Sequence, residues 1–251
     1  MRLVSRPNAG FEFPLLMRAV TLPLLVSCAM PVCANTAIET ETAQLGKRGE
    51  WTFSQSYESV KGNKGSSGGT LTQFEYAITD RVEILIEPFF YAWDHPKGEA
   101  RKSGVGDLEI TPSYMVVVED GWVPAVVLAT KIKVPTGALS VGGTDKTDYF
   151  PYVILGQHFG GWTLNANLGV NFSKNVDSGG YHKRFVWDVE GEREFSGRWT
   201  TFWEAYRAED SVKTVSTSLQ YQWAKHVNGF GVVSYNEDHE TVLRFGFNIE
   251  F

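Results

Sequence analysis

Eight charged side chains recur at one parity within the alternating stretches of this sequence: Glu83, Glu87, Asp107, Glu109, Lys131, Lys133, Glu204 and Arg244. Successive residues of a strand point to opposite faces, so these eight share the face that neighbouring apolar residues leave. Two chemistries are open to such a set. Opposite charges pair across strands to hold a closed, water-poor wall, or they line a conduit and select what passes. Catalysis has weaker footing. His95, His182 and His239 fall in or beside predicted loops, His226 in a turn, and His158, with outward parity, next to the short Gly160-Gly161 turn. None has the spacing of a catalytic triad or a metal site, so loop and interfacial histidines are the simpler account. No catalytic residue and no cofactor is assigned. Asp145, Asp148 and Asp177 offer oxygen ligands for calcium, although scattered solvated carboxylates explain them better. The glycine-rich run 62–69 lacks the Gly-Lys-Ser/Thr ending and following helix of a phosphate loop, and reads as an outer loop.

The elements that position these charges are strands. From Trp162 to Phe172, Trp162, Leu164, Ala166, Leu168, Val170 and Phe172 share one face against Thr163, Asn165, Asn167, Gly169 and Asn171. The last segment repeats this, with Thr241, Leu243, Phe245, Phe247, Ile249 and Phe251 against Val242, Arg244, Gly246, Asn248 and Glu250. The same period predicts about twelve strands, beginning near Glu50, Thr70, Val82, Val105, Val123, Asp148, Trp162, His182, Arg198, Thr214, Val227 and Thr241. Pro88 and Pro112 sit inside predicted strands, where each marks a bulge because proline lacks the backbone donor. Short connections such as Thr79-Asp80 and Gly160-Gly161 alternate with longer ones such as Lys61–Gly69 and Pro135–Thr147.

The N-terminus reads differently. Arg18 precedes an apolar run, and small residues follow up to Val32-Cys33-Ala34, so residues 1–34 are expected to be a signal peptide cut after Ala34. Met17 is an alternative start, and Leu25-Val26-Ser27-Cys28 gives a rival reading in which Cys28 carries lipid. Cleavage after Ala34 removes both cysteines and leaves a mature chain without a disulfide. It also makes the chain more acidic than the formal −6 of the whole sequence, which argues against a nucleic-acid partner. Residues 35–49 are expected to be a short periplasmic segment and 50–251 the β domain.

Mean hydropathy is −0.19, a soluble-looking value that arises when apolar and polar faces cancel. A soluble sandwich or lipocalin-like barrel has the same alternation with the apolar face inward. Twelve strands, however, enclose space that polar residues and water must fill. Trp51, Trp93, Trp122, Trp162, Trp199 and Trp223 fall at or near predicted strand ends, where membrane-interface girdles belong. The fold class expected is therefore all-β, a transmembrane antiparallel up-and-down barrel in the bacterial outer membrane.

Three segments carry a family resemblance. Glu75-Tyr76-Ala77-Ile78-Thr79-Asp80-Arg81-Val82-Glu83, then Gly104-Val105-Gly106-Asp107-Leu108, then Lys133-Val134-Pro135-Thr136-Gly137 resemble, in that order, signatures of barrels in the MetA-pathway of phenol degradation family. The resemblance covers most of the mature chain. It implies an outer-membrane barrel passing small hydrophobic or aromatic compounds, without specifying phenol itself. The expected function is a non-enzymatic channel or transporter for a small-molecule solute. A closed structural or lipid-associated barrel is the second reading and a lipid-modifying enzyme the third. Expected partners are outer-membrane lipid, lipopolysaccharide and the barrel-assembly machinery, with Phe251 as the assembly signal.

Overall fold

The computed structural model describes residues 40–88, 91–141, 143–144, 146–174, 180–207 and 212–251. The predicted signal peptide with Cys28 and Cys33, the aromatics Phe89 and Phe90, and Asp145 and Asp177 lie outside the described residues. The strands are β1 (Trp51–Gly62), β2 (Gly65–Thr79), β3 (Val82–Pro88), β4 (Tyr91–Pro96), β5 (Lys102–Gly104), β6 (Leu108–Val117), β7 (Ala125–Val134), β8 (Asp148–Phe159), β9 (Trp162–Lys174), β10 (Tyr181–Glu194), β11 (Trp199–Arg207), β12 (Lys213–Ala224), β13 (Val227–Asn236) and β14 (Thr241–Glu250).

These segments make a closed antiparallel barrel of twelve strands. β3 and β4 are two halves of one strand of the wall, and β5 and β6 are two halves of the next. The β3–β6 and β4–β5 ladders keep a single register, from Pro88↔Leu108 to Ala92↔Gly104. Closure comes from β1, which pairs with β2 on one side and β14 on the other. Pro112 keeps its place opposite Ile84 without a bulge. The register shift in that strand comes later, between Met115 and Val117. The glycine-rich run 62–69 is not a long outer loop, as its composition suggested. Gly62 pairs directly with Gly65, and 65–69 belong to β2. Strand pairing on both sides of these glycines overrides their local preference for loops.

At the opposite end of the barrel, Gly160 and Gly161 join β8 to β9 with both φ angles positive, 56° and 85°. That conformation matches the strand twist and is cheap only for glycine. Four aromatic pairs ring this short-turn end: Trp51–Tyr76, Trp122–Phe159, Trp162–Trp203 and Trp199–Tyr221, with centroids 4.3 to 6.0 Å apart.

Polarity is inverted relative to a soluble barrel. On β14, Leu243 and Phe245 are 49% and 60% exposed, whereas Asn248 is fully buried. The same split runs through β9, where Leu164 and Leu168 face out and Asn165 and Asn167 face in. An outward apolar belt with aromatic girdles is stable only against hydrocarbon. The inward wall carries an apolar patch, made by Ala125, Val127 and Ala129 of β7, Phe150, Tyr152 and Ile154 of β8, and Val186 of β10.

Candidate functional site

The inward face is where charges and hydrogen-bonding groups converge. The eight charged residues singled out in the sequence divide there into three groups. β3, β6 and β7 carry the first. Their register sets Glu109 opposite Lys133, and Lys131 Nζ lies 3.4 Å from Glu109 and 3.8 Å from Glu87. Lys133 stands 4.0 Å from Asp107. Asp107 also accepts hydrogen bonds from Gly137 N and from Thr144 N and Oγ1 at 2.7 to 2.9 Å, so it pins the long 135–147 connection. The second group is Arg244, whose Nε and Nη2 donate to Glu58 Oε2 at 3.1 and 2.6 Å across the β1–β14 seam. Cross-strand pairs of this kind contribute roughly 0.2–1 kcal/mol each.

Glu83 and Glu204, the third group, hold a segment that the sequence placed in the periplasm. Residues 40–46 run along the inside of the barrel. Thr40 donates from its N and its Oγ1 to Glu204 Oε1, both at 2.6 Å, while Ser216 Oγ occupies Glu204 Oε2. Ala43 N donates to Asn165 Oδ1 at 3.2 Å, and Gly46 N to Glu83 Oε2 at 2.8 Å. The strap therefore passes from β11 across β9 and β8 to β3. Ala43 is 1% exposed and packs on the inward apolar patch. Gly156 makes this possible, because a Cβ there would lie 2.5 Å from Ala43 Cβ. Burial pushes the Glu41 carboxyl up to about 7, against the pull of Lys131. The strap has no period-two pattern, which is why sequence reading left it outside the barrel.

Buried polar atoms without a protein partner recur around the inward wall, Tyr152 Oη on β8 and Asn167 Oδ1 on β9 among them, and they are densest on β12, β13 and β14. Asn228 and Asn248 are opposite each other and 1% and 0% exposed. Among the described residues, both polar atoms of each amide, together with Ser218 Oγ, Gln220 Oε1 and Ser234 Oγ, have no protein hydrogen-bond partner. Polar side chains thus concentrate on this wall, each able in chemical type to exchange hydrogen bonds with water or a polar solute. The alternating polar parity of these strands was the readable signal; the missing protein partners were not.

His158 faces the strap and not lipid, correcting the outward parity read from sequence. Its Nδ1 meets Glu119, and its Nε2 lies 2.7 Å from Gln44 Nε2. Burial works to raise the Glu119 carboxyl, but the His158 hydrogen bonds outweigh it and hold Glu119 below its ordinary value. Both ring nitrogens are thus engaged without a hydroxyl nucleophile. Among the described residues no cluster of three metal-ligating side chains occurs.

Comparison with known proteins bears on the whole barrel. Residues 52–251 match the family described as "Putative MetA-pathway of phenol degradation". The COG4313 outer membrane channel from Pseudomonas putida F1 superposes with a TM-score of 0.63 at 12% identity, covering 83% of this chain and 98% of that one. The KdgM porin, in a complex with disordered oligogalacturonate, gives 0.56 at 15% identity over 80% and 99%. At these identities the likeness is one of fold. No curated protein matches in sequence.

Proposed function

Because this chain belongs to the MetA-pathway of phenol degradation family and has the fold of outer-membrane channels, we propose that it is an outer-membrane channel for small hydrogen-bonding solutes, narrowed by its own N-terminal strap. The observation that carries this reading is the β12–β14 wall, where buried amide and hydroxyl groups lack protein partners. Such a surface favours a solvated path and solutes that exchange hydrogen bonds with it. A purely apolar compound gains nothing there. Lys131 and Lys133 then set charge preference beside the path. Replacing both with Glu shifts planar-bilayer conductance toward cations and slows anionic solutes. Absence of conductance in the native protein and in a folded variant lacking residues 40–46 would sink the channel reading. It would favour a closed barrel held by the strap and the Lys131 and Arg244 ion pairs.

Assembly follows from the chain end. Phe251 exchanges backbone hydrogen bonds with Trp51 at 2.8 and 3.2 Å, and its side chain is 73% exposed. That leaves the ring available as a recognition signal for barrel-assembly machinery. Deleting Phe251 lowers the yield of heat-modifiable, folded barrel in the outer membrane.

A further inference from the structure

The outward face of β10, followed toward the short-turn end, reads Phe185, Trp187, Val189, Gly191 and Arg193. It is a lipid-facing column that ends on a guanidinium. Such a charge costs about 2–4 kcal/mol at the bilayer midplane and little near the interface, so the strand end is where it is tolerated. Its setting is specific. Gly191 sits between Leu164 and Trp203 in the register of its two neighbours. A Cβ at Gly191 would meet the Trp162 ring at 3.7 Å, ordinary van der Waals contact, so the ring lies directly over this part of the strand. Trp162 and Trp203 come together at 5.2 Å, and the Arg193 guanidinium stacks 5.1 Å above the Trp162 ring. Stacking fixes the plane of the guanidinium and leaves its edge donors directed to the surroundings.

Beside this cation is a concavity of about 530 Å³, lined by Arg193, Glu194, Phe195, Ser196, Thr201 and Trp203. Arg193 and Glu194 are both exposed, and no ion pair joins either to another described residue. The site therefore offers one cation and one carboxylate, a serine hydroxyl, and indole rings continuous with the apolar wall. We propose that this rim binds a phospholipid with a zwitterionic, primary-ammonium head group. Arg193 takes the phosphate in a bidentate contact, Glu194 accepts from the ammonium, and an acyl chain follows the β10 column past Gly191. The site lies at the short-turn rim, where Arg193 comes from the outward face and Glu194 from the inward one, and it does not depend on whether the lumen conducts.

The test is native mass spectrometry of the folded protein in neutral detergent with phosphatidylethanolamine, phosphatidylglycerol or phosphatidylcholine of matched chains. Phosphatidylethanolamine should be retained best. Arg193→Ala should lower its retention about tenfold, the loss of one charge-assisted contact. Glu194→Gln should erase the preference over phosphatidylglycerol while leaving phosphate binding. Arg193→Lys, a milder change kept in case the alanine variant does not fold, should bind more weakly than the native protein because it cannot form the bidentate contact. Equal retention of the three lipids by the native protein, or full retention after either Arg193 substitution in a heat-modifiable barrel, overturns the site.

Discussion

The two sides of the lumen solve the same problem in opposite ways. On the β7–β8 side, small and apolar residues form a bed that the chain itself covers with Ala43 and the strap, with Tyr152 Oη among the polar atoms left without a partner. On the β12–β14 side, Asn228, Asn248, Ser218 and Ser234 stay polar, buried and without protein partners. A barrel whose interior were filled only for stability would have apolar packing or complete hydrogen bonding throughout. The difference is one of density: one side holds a segment of the chain, and the other concentrates buried amides and hydroxyls without protein partners.

The largest effect should come from removing the bed's fit. Gly156→Leu places side-chain atoms where Ala43 lies. We expect it to expel the strap and raise single-channel conductance several-fold, with the barrel still folded. Unchanged conductance would mean that the strap is not the constriction. On the other side, the pair Asn228→Leu and Asn248→Leu should cut uptake of hydrogen-bonding solutes in liposome swelling. Thermal stability should hold or rise, because an unsatisfied buried polar group costs about 1–3 kcal/mol. A marked loss of stability would show that these amides are structural and that the two sides are alike.

A smaller effect is expected at the strap's anchor. Glu204→Gln weakens the two bonds from Thr40, each a charge-assisted contact worth roughly 1.5–3 kcal/mol. A cysteine placed at Thr42 should then react faster with a maleimide, and an unchanged rate would locate the anchor elsewhere. The smallest effect is in pH. Glu41, which faces Lys131, Tyr152, Glu87 and Glu83, has its carboxyl raised from 4.5 to about 7 when docked. The docked strap therefore binds more protons than the released one. Its stability is full below pH 4.5 and is lost progressively as pH rises to about 7. Labelling at position 42 should accelerate over that window, and Glu41→Gln should flatten the profile.

Much of the wall was legible because its signal repeats. Leu243 out and Arg244 in follow from a period of two, and Glu109 beside Lys131 and Lys133 follows from counting back from one short turn. What failed had non-local causes. The 65–69 glycines read as a loop because their strand character comes from β1 and β4, on either side. The strap carries no alternation, and its partners Glu204, Asn165 and Glu83 are distant in sequence. His158 was assigned the wrong face, and its partners Glu119 and Gln44 became apparent only in three dimensions.

Pairing order carries a kinetic consequence. Nearly every ladder in the wall joins segments adjacent in sequence, and such local contacts form quickly. The β1–β14 ladder is the exception: ten residue pairs from Thr52↔Glu250 to Lys61↔Thr241 bring together the two ends of the barrel domain. Its loop-closure entropy must be met before any of those bonds forms. Ring closure is therefore the slow step of folding into the bilayer, and a substitution that weakens the Arg244–Glu58 pair should slow insertion more than an equal loss in a hairpin such as β8–β9.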